Sequence, residues 1–185
     1  DSEQVLGSAL AYLGKSINTA TDADLAEAVA VVERVRPFVR RFHSSEYVTG
    51  LATGTYCIAL GFSGDARIAA LRSAEAGKPY KIEYRLPQEG ALLYFDVFAV
   101  PANAPNPAAA VQLIDFMLRP EIAATAANET GFATANAKAL EFVDPAIKGD
   151  VNLYPAAKTI ARLTVPRVFD LAELRRWQKA ISPLK

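Results

Sequence analysis

Apolar residues recur at helical spacing from the start of the chain: Val5, Leu6, Ala9, Leu10 and Leu13 share one face over residues 3–14, and Gly14 stops the turn. Thr21 or Asp22 caps a second helix, in which Leu25, Ala28, Val29, Val32 and Val35 repeat at i, i+3 and i+4 until Pro37 disturbs the backbone. Residues 44–52 predict a short helix. A different pattern begins at 55–62, Thr-Tyr-Cys-Ile-Ala-Leu-Gly-Phe, which is apolar on both faces and predicts a strand buried on both sides of an α/β sheet. Gly64-Asp65 opens a helix through about Ala76. Lys81–Leu86 alternates Ile82, Tyr84 and Leu86 with Lys81, Glu83 and Arg85, as an edge or one-sided strand does, whereas Ala91–Val100 is almost wholly apolar and predicts a central strand. Asn106-Pro107 caps a helix through about Arg119, and Pro120 starts another that ends near Gly131. The remainder predicts a short helix at 144–148, a turn at Leu153-Tyr154-Pro155, a helix around 155–162 and a final helix over Leu171–Ile181.

Composition narrows what such a chain can be. With 51% hydrophobic residues and one cysteine in 185 residues, it is neither disordered nor a disulfide-stapled mini-scaffold. A chain of this length buries about 70% of the surface that its unfolded form exposes, enough for one domain or two small ones. Twenty Lys and Arg balance twenty Asp and Glu, which removes the electrostatic case for a nucleic-acid partner. The one basic run, Arg34, Arg36, Arg40 and Arg41, lies beside Val and Phe positions and reads as a solvated helix face. No run of 18 apolar residues exists, so no membrane-spanning helix is expected. The start, Asp1-Ser2-Glu3-Gln4-Val5, has the character of a helix cap, not of a signal peptide, as if the chain began in mid-protein. The odd thiol, Cys57, raises the question of a partner outside the chain.

Catalytic motifs are absent: there is no GxSxG, P-loop, GxGxxG or HExxH, and one Cys with one His cannot make a zinc site, so no metal or cofactor is expected. His43-Ser44-Ser45 offers a remote hydrolase alternative, but sequence neighbours are seldom triad partners and Ser44 reads better as a helix cap. Asp65 and Asp96 could be a glycosidase pair only at a separation that sequence does not define. The aromatics beside them suggest something simpler. Phe62-Ser63-Gly64-Asp65 ends a strand and opens a helix, and Tyr94-Phe95-Asp96 sets an aromatic and an acid on one strand face. A carboxylate inside a buried strand is costly unless a cation or hydrogen bonds meet it. A primary ammonium needs a carboxylate for its charge and an aromatic face for cation–π attraction, so the doubled pattern suits a cation receptor, with core packing around network carboxylates as the other reading.

Several longer blocks point the same way: Ala11-Tyr12-Leu13-Gly14, Arg36-Pro37 with Phe42-His43-Ser44-Ser45, and Gly61-Phe62-Ser63-Gly64-Asp65. Further on come Pro87-Gln88-Glu89-Gly90-Ala91, Tyr94 through Ala102, Phe116-Met117-Leu118-Arg119-Pro120-Glu121 and Leu153-Tyr154-Pro155. In order and spacing, the chain resembles the C-terminal part of bacterial periplasmic polyamine-binding proteins, the putrescine and spermidine receptors of ABC importers. The resemblance implies an α/β, class II periplasmic-binding-protein-like fold, with sheets flanked by helices and two lobes around a ligand cleft. It implies a fragment lacking the N-terminal part, with residues 1–73 and 133–185 in one lobe, 78–130 in the other, and hinge crossings near 74–77 and 131–132. Phe62 and Asp65 would then face Tyr94 and Asp96 across the cleft, which closes on the ligand.

Carried over residue by residue, Phe62 stands where the family has a Trp on the polyamine chain, and Asp65 keeps the putrescine-type carboxylate. Tyr94 replaces another aromatic, Asp96 matches an ammonium-binding Asp, and Phe132 matches a position that is usually Tyr or Gln. The family's N-terminal Glu falls at Gln4, with Glu3 beside it. The resemblance therefore implies a periplasmic, non-enzymatic receptor that favours a putrescine-like diamine and delivers it to a membrane permease. The alternative is a receptor or sensor module for spermidine or another cationic amine. The implied partners are the polyamine, the permease and a missing N-terminal segment of the same protein, to which Cys57 would be disulfide-bonded.

Overall fold

Several helix starts follow local capping chemistry in the computed structural model, which describes residues 2–184. Helix α1 spans Ser2–Tyr12 and α2 spans Asp22–Val35. The Thr21 hydroxyl accepts from the Asp24 N–H while the Asp24 carboxylate accepts from the Thr21 N–H, a reciprocal capping box. Then follow α3 (Glu46–Thr53), α4 (Ser63–Glu75), α5 (Pro107–Met117) and α6 (Pro120–Thr130). Asn106 caps α5 by accepting from Ala109, and proline stands in the first turn of both α5 and α6, where a missing N–H is harmless. The short α7 (Pro145–Lys148) and α8 (Ala157–Ile160) precede α9 (Leu171–Ile181), where Asp170 and Glu173 form a second capping box. At the start of α3 the cap is His43 instead of the expected Ser44: its Nδ1 accepts from the N–H groups of Ser45 and Glu46 at 3.3 and 3.1 Å. No helix among the described residues is long and apolar enough to cross a membrane.

The described residues pack as two compact units. The first runs to Tyr47, resumes over Arg85–Tyr94 and returns from Ala157. Its core joins α1, α2 and α9 through Leu6, Leu10, Leu25, Ala28, Val32, Trp177 and Ile181, with Phe169 stacked on Trp177 at 5.2 Å between ring centroids. Such a ring pair adds about 0.5–1.5 kcal/mol beyond the area it buries. The strands β1 (Ala91–Leu92) and β2 (Leu163–Thr164) pair in parallel, Ala91 opposite Leu163, and α1 lies against β1. The second unit comprises Val48–Tyr84 and Phe95–Ala156. Its core is made of small side chains, Ala124, Ala127 and Ala139, with Val143 and Ile147.

These units divide the chain otherwise than the expected 1–73 with 133–185 against 78–130. The expected hinge points fall inside the second unit, at the turn after α4 and at the cap of α6, because α4 packs on α6. Tyr80 reinforces that grouping by donating its hydroxyl to the Ala52 carbonyl at the end of α3.

The helices follow expectation closely and the strands do not. Residues 55–62 form no strand and lie largely exposed, with Ile58 87% accessible. The apolar run expected as a central strand over Ala91–Val100 is β-paired only at Ala91–Leu92, with one further bond from the Leu93 N–H to the Thr164 carbonyl. Beyond it the backbone is irregular and Val97 is 82% accessible. Apolar sequence makes a segment suitable for a sheet, but a strand also needs a neighbour to take its N–H and C=O groups, and among the described residues only β2 lies beside this stretch. Asp96 is consequently exposed, so the desolvation argument for a buried strand carboxylate does not apply here. Lys81–Leu86 joins no ladder either, yet its side chains alternate as expected, Ile82, Tyr84 and Leu86 half-buried and Lys81, Glu83 and Arg85 exposed.

Candidate functional site

In the first unit, helix α1 approaches strand β1 closely. Gly7 lacks the Cβ that would stand 2.8 Å from Ile17 Cδ1 and 2.9 Å from Leu92 Cδ1, so α1 settles directly on β1. Glu3 lies one helical turn before Gly7 on α1, and Tyr94 follows β1 by two residues in the same unit. Partial burial raises the Tyr94 hydroxyl above its ordinary pKa, and the negative charge of Glu3 adds to that rise. Gln4 occupies the adjoining face, where its carbonyl accepts the Ser8 hydroxyl at 2.8 Å.

In the second unit, Phe62 is the N-cap residue of α4 with extended backbone, and its carbonyl accepts from the Ala66 N–H at 3.1 Å. Asp65 is half-buried in the first turn of that helix, where the dipole favours negative charge. Between them Gly64 is buried, and a Cβ there would overlap the Phe132 ring. Phe132 reaches this position because Gly131 ends α6 in the left-handed conformation at φ 73°, a geometry that glycine adopts without strain. The result is a patch in which the Phe132 ring, itself 39% accessible, lies over the helix turn that carries Phe62 and Asp65.

The seven expected residues thus divide between the units: Glu3, Gln4 and Tyr94 belong to the first, and Phe62, Asp65, Asp96 and Phe132 to the second. Tyr94 and Asp96, expected on one strand face, fall in different units because the division passes between Tyr94 and Phe95. Sequence reasoning missed the glycines. Gly7 lets α1 settle on β1 and Gly64 admits the Phe132 ring, and a glycine inside a helix pattern is the signal of close approach that could have revealed both. Cys57 is exposed with a free thiol. Among the described residues no three His, Cys, Asp or Glu side chains gather as a metal site.

The second unit thus sets an aromatic ring over the helix turn that carries a carboxylate. Residues 2–156 match the family of bacterial extracellular solute-binding proteins, and the chain belongs to that family. It is 36% identical over 185 residues to the putrescine-binding periplasmic protein PotF of Escherichia coli, a match covering 97% of this chain and 50% of that protein. It is 35% identical over 183 residues to the putrescine-binding periplasmic protein SpuD of Pseudomonas aeruginosa, with coverage of 97% and 50%. Among solved structures, the spermidine/putrescine ABC transporter substrate-binding protein PotD of Streptococcus pneumoniae superposes with a TM-score of 0.84 at 27% identity, over 100% of this chain and 55% of that one. The chain spans about half the length of the curated relatives it matches, and its fold is the corresponding part of a periplasmic binding protein.

Proposed function

We propose that the protein is a periplasmic solute receptor that binds a polyamine, a putrescine-like diamine in preference, and delivers it to the permease of an ABC importer. The observation that carries this reading is the Phe132 ring packed over the α4 turn that holds Phe62 and Asp65, in a chain whose relatives are named for putrescine. A diamine carries two primary ammonium groups, and each is stabilised by a carboxylate for its charge and an aromatic or apolar face for its alkyl chain. In this reading Glu3, Asp65 and Asp96 supply the charges, Tyr94, Phe62 and Phe132 the faces, and Gln4 a neutral contact. No bond is made or broken, so the protein is a receptor and not an enzyme. A spermidine receptor is the alternative, favoured by the likeness to a spermidine/putrescine-binding structure.

The exposed apolar stretches around Ile58 and Val97 belong in this picture to an interface with a further, N-terminal segment of the same protein, which would also hold the partner of Cys57. Calorimetric titration of the complete protein with putrescine, cadaverine and spermidine tests the function. Saturable heat, largest in affinity for putrescine, is expected; no heat with any of the three overturns the proposal.

A further inference from the structure

Two residues beyond Asp65, Arg67 lies one helical turn after Gly64 and on the same face of α4. Its side chain runs along the end of α6. The Arg67 Cβ and Cγ come within 3.0 Å of where a Cβ on Gly131 would stand, and its Cδ comes closer still, so residue 131 must be glycine for this contact as well as for its backbone. At the tip, Nη2 donates to the Asn128 carbonyl at 3.3 Å, in the last turn of α6, where carbonyls have no partner further along the helix and the dipole attracts a cation. The Arg67 Nε is buried and makes no hydrogen bond among the described residues. Phe132 follows Gly131 directly and covers Gly64. The junction of α4 and α6 therefore has two clamps one turn apart on α4: Phe132 over Gly64, and Arg67 over Gly131 and Asn128.

We propose that Arg67 is a positioning residue for the ligand site of the second unit, holding the end of α6 so that Phe132 is presented beside Asp65. The assignment rests on the receptor reading above for its consequence in binding, and on the α4–α6 junction alone for its consequence in structure. A flexible chain after Gly131 would leave Phe132 free to leave Gly64, and the aromatic face would then have to be ordered at the moment of binding, which weakens affinity.

The structural readout is nuclear magnetic resonance of Gly64. One Gly64 Hα points where a Cβ would stand, into the Phe132 ring, so its resonance is displaced by the ring current, and Phe132→Leu calibrates the loss of that displacement. Arg67→Met keeps the aliphatic stem and removes the charge and donor; it is expected to move the Gly64 Hα resonance toward its position in Phe132→Leu and to weaken putrescine binding about tenfold. Arg67→Lys restores a cation over the Asn128 carbonyl and is expected to recover most of both signals. Wild-type resonance and affinity in Arg67→Met would overturn the proposal. If that variant fails to fold, Arg67→Gln takes its place, and an unshifted Gly64 resonance there overturns the proposal equally. A wild-type protein that binds no polyamine removes the receptor reading, while the Gly64 resonance still decides the role of Arg67.

Discussion

The two units reach compactness by different means. In the first, Trp177, Leu6, Leu10 and Ile181 are at most 1% accessible and interlock around three helices. In the second, the most buried positions of the core are alanines, and larger apolar side chains such as Ile58, Phe95, Val97 and Phe98 face outward. At about 0.8 kcal/mol for each buried methylene, an alanine contributes only a fraction of what a leucine or tryptophan does. The second unit instead relies on glycines that leave room for a neighbour's side chain, the Phe132 ring against Gly64 and the Arg67 side chain against Gly131. A core of large side chains tolerates exchange of its surface but not truncation of its centre. A core of small ones fails when something is added.

The largest effect expected from breaking this contrast is truncation in the first unit. Trp177→Ala removes a side chain that is 1% accessible and the ring on which Phe169 stacks, and should cost about 3–5 kcal/mol. Denaturant unfolding measures the loss, and hydrogen exchange should locate the lost protection in α1, α2 and α9. For ligand affinity, Asp96→Asn should weaken putrescine binding by about 2–5 kcal/mol in calorimetry if that carboxylate meets a buried ammonium in the complex; an unchanged affinity removes Asp96 from the site.

Addition, in contrast, should damage the second unit. Gly64→Ala places a methyl group in the Phe132 ring and should destabilise by about 1–3 kcal/mol, with partial recovery in the double variant carrying Phe132→Leu. Failure of the double variant to recover would mean that the contact is not what limits the site.

Acid should sharpen the contrast from the other side. The Lys15 ammonium, followed by the Thr21 hydroxyl and N–H, holds the Asp24 carboxyl well below the usual carboxylate range, and the Arg167 guanidinium lowers Glu173. Both groups bind protons more weakly folded than unfolded. Their stabilisation is therefore present above the unfolded value of about 4 and is lost as pH falls through the lower folded values. Hydrogen exchange followed downward from about pH 5 should show protection fading at the α1–α2 corner and the start of α9; uniform loss over both units would contradict this. The smallest expected effect is at the cap of α3, where His43→Ala removes an acceptor from two N–H groups and should cost about 0.5–1 kcal/mol in thermal unfolding.

Most helices were legible in the sequence because their signals are local. Asn106-Pro107, Pro120 with Gly131, and Asp170 with Glu173 each place a cap and its helix within a few residues, and the structure starts or stops α5, α6 and α9 there. The cap of α3 escaped because an imidazole Nδ1 serves as acceptor only when its ring turns back over the helix start, which residue type does not reveal.

What the sequence by itself determined is the set of helices and the family, and it named the aromatic and acidic residues proposed for binding. Only the tertiary structure decided which of those residues meet. Phe132 reaches Gly64, in the α4 turn that carries Phe62 and Asp65, through the turn at Gly131. Asp96 and Tyr94, neighbours in sequence, belong to different units. The strands show the same division most plainly: 55–62 and 93–100 carry strand-like composition, yet no ladder forms there among the described residues. The physical reason is common to all of these cases. A helix satisfies its hydrogen bonds within its own segment, whereas a strand, a ring contact or a charge pair is completed by atoms that the local sequence does not contain.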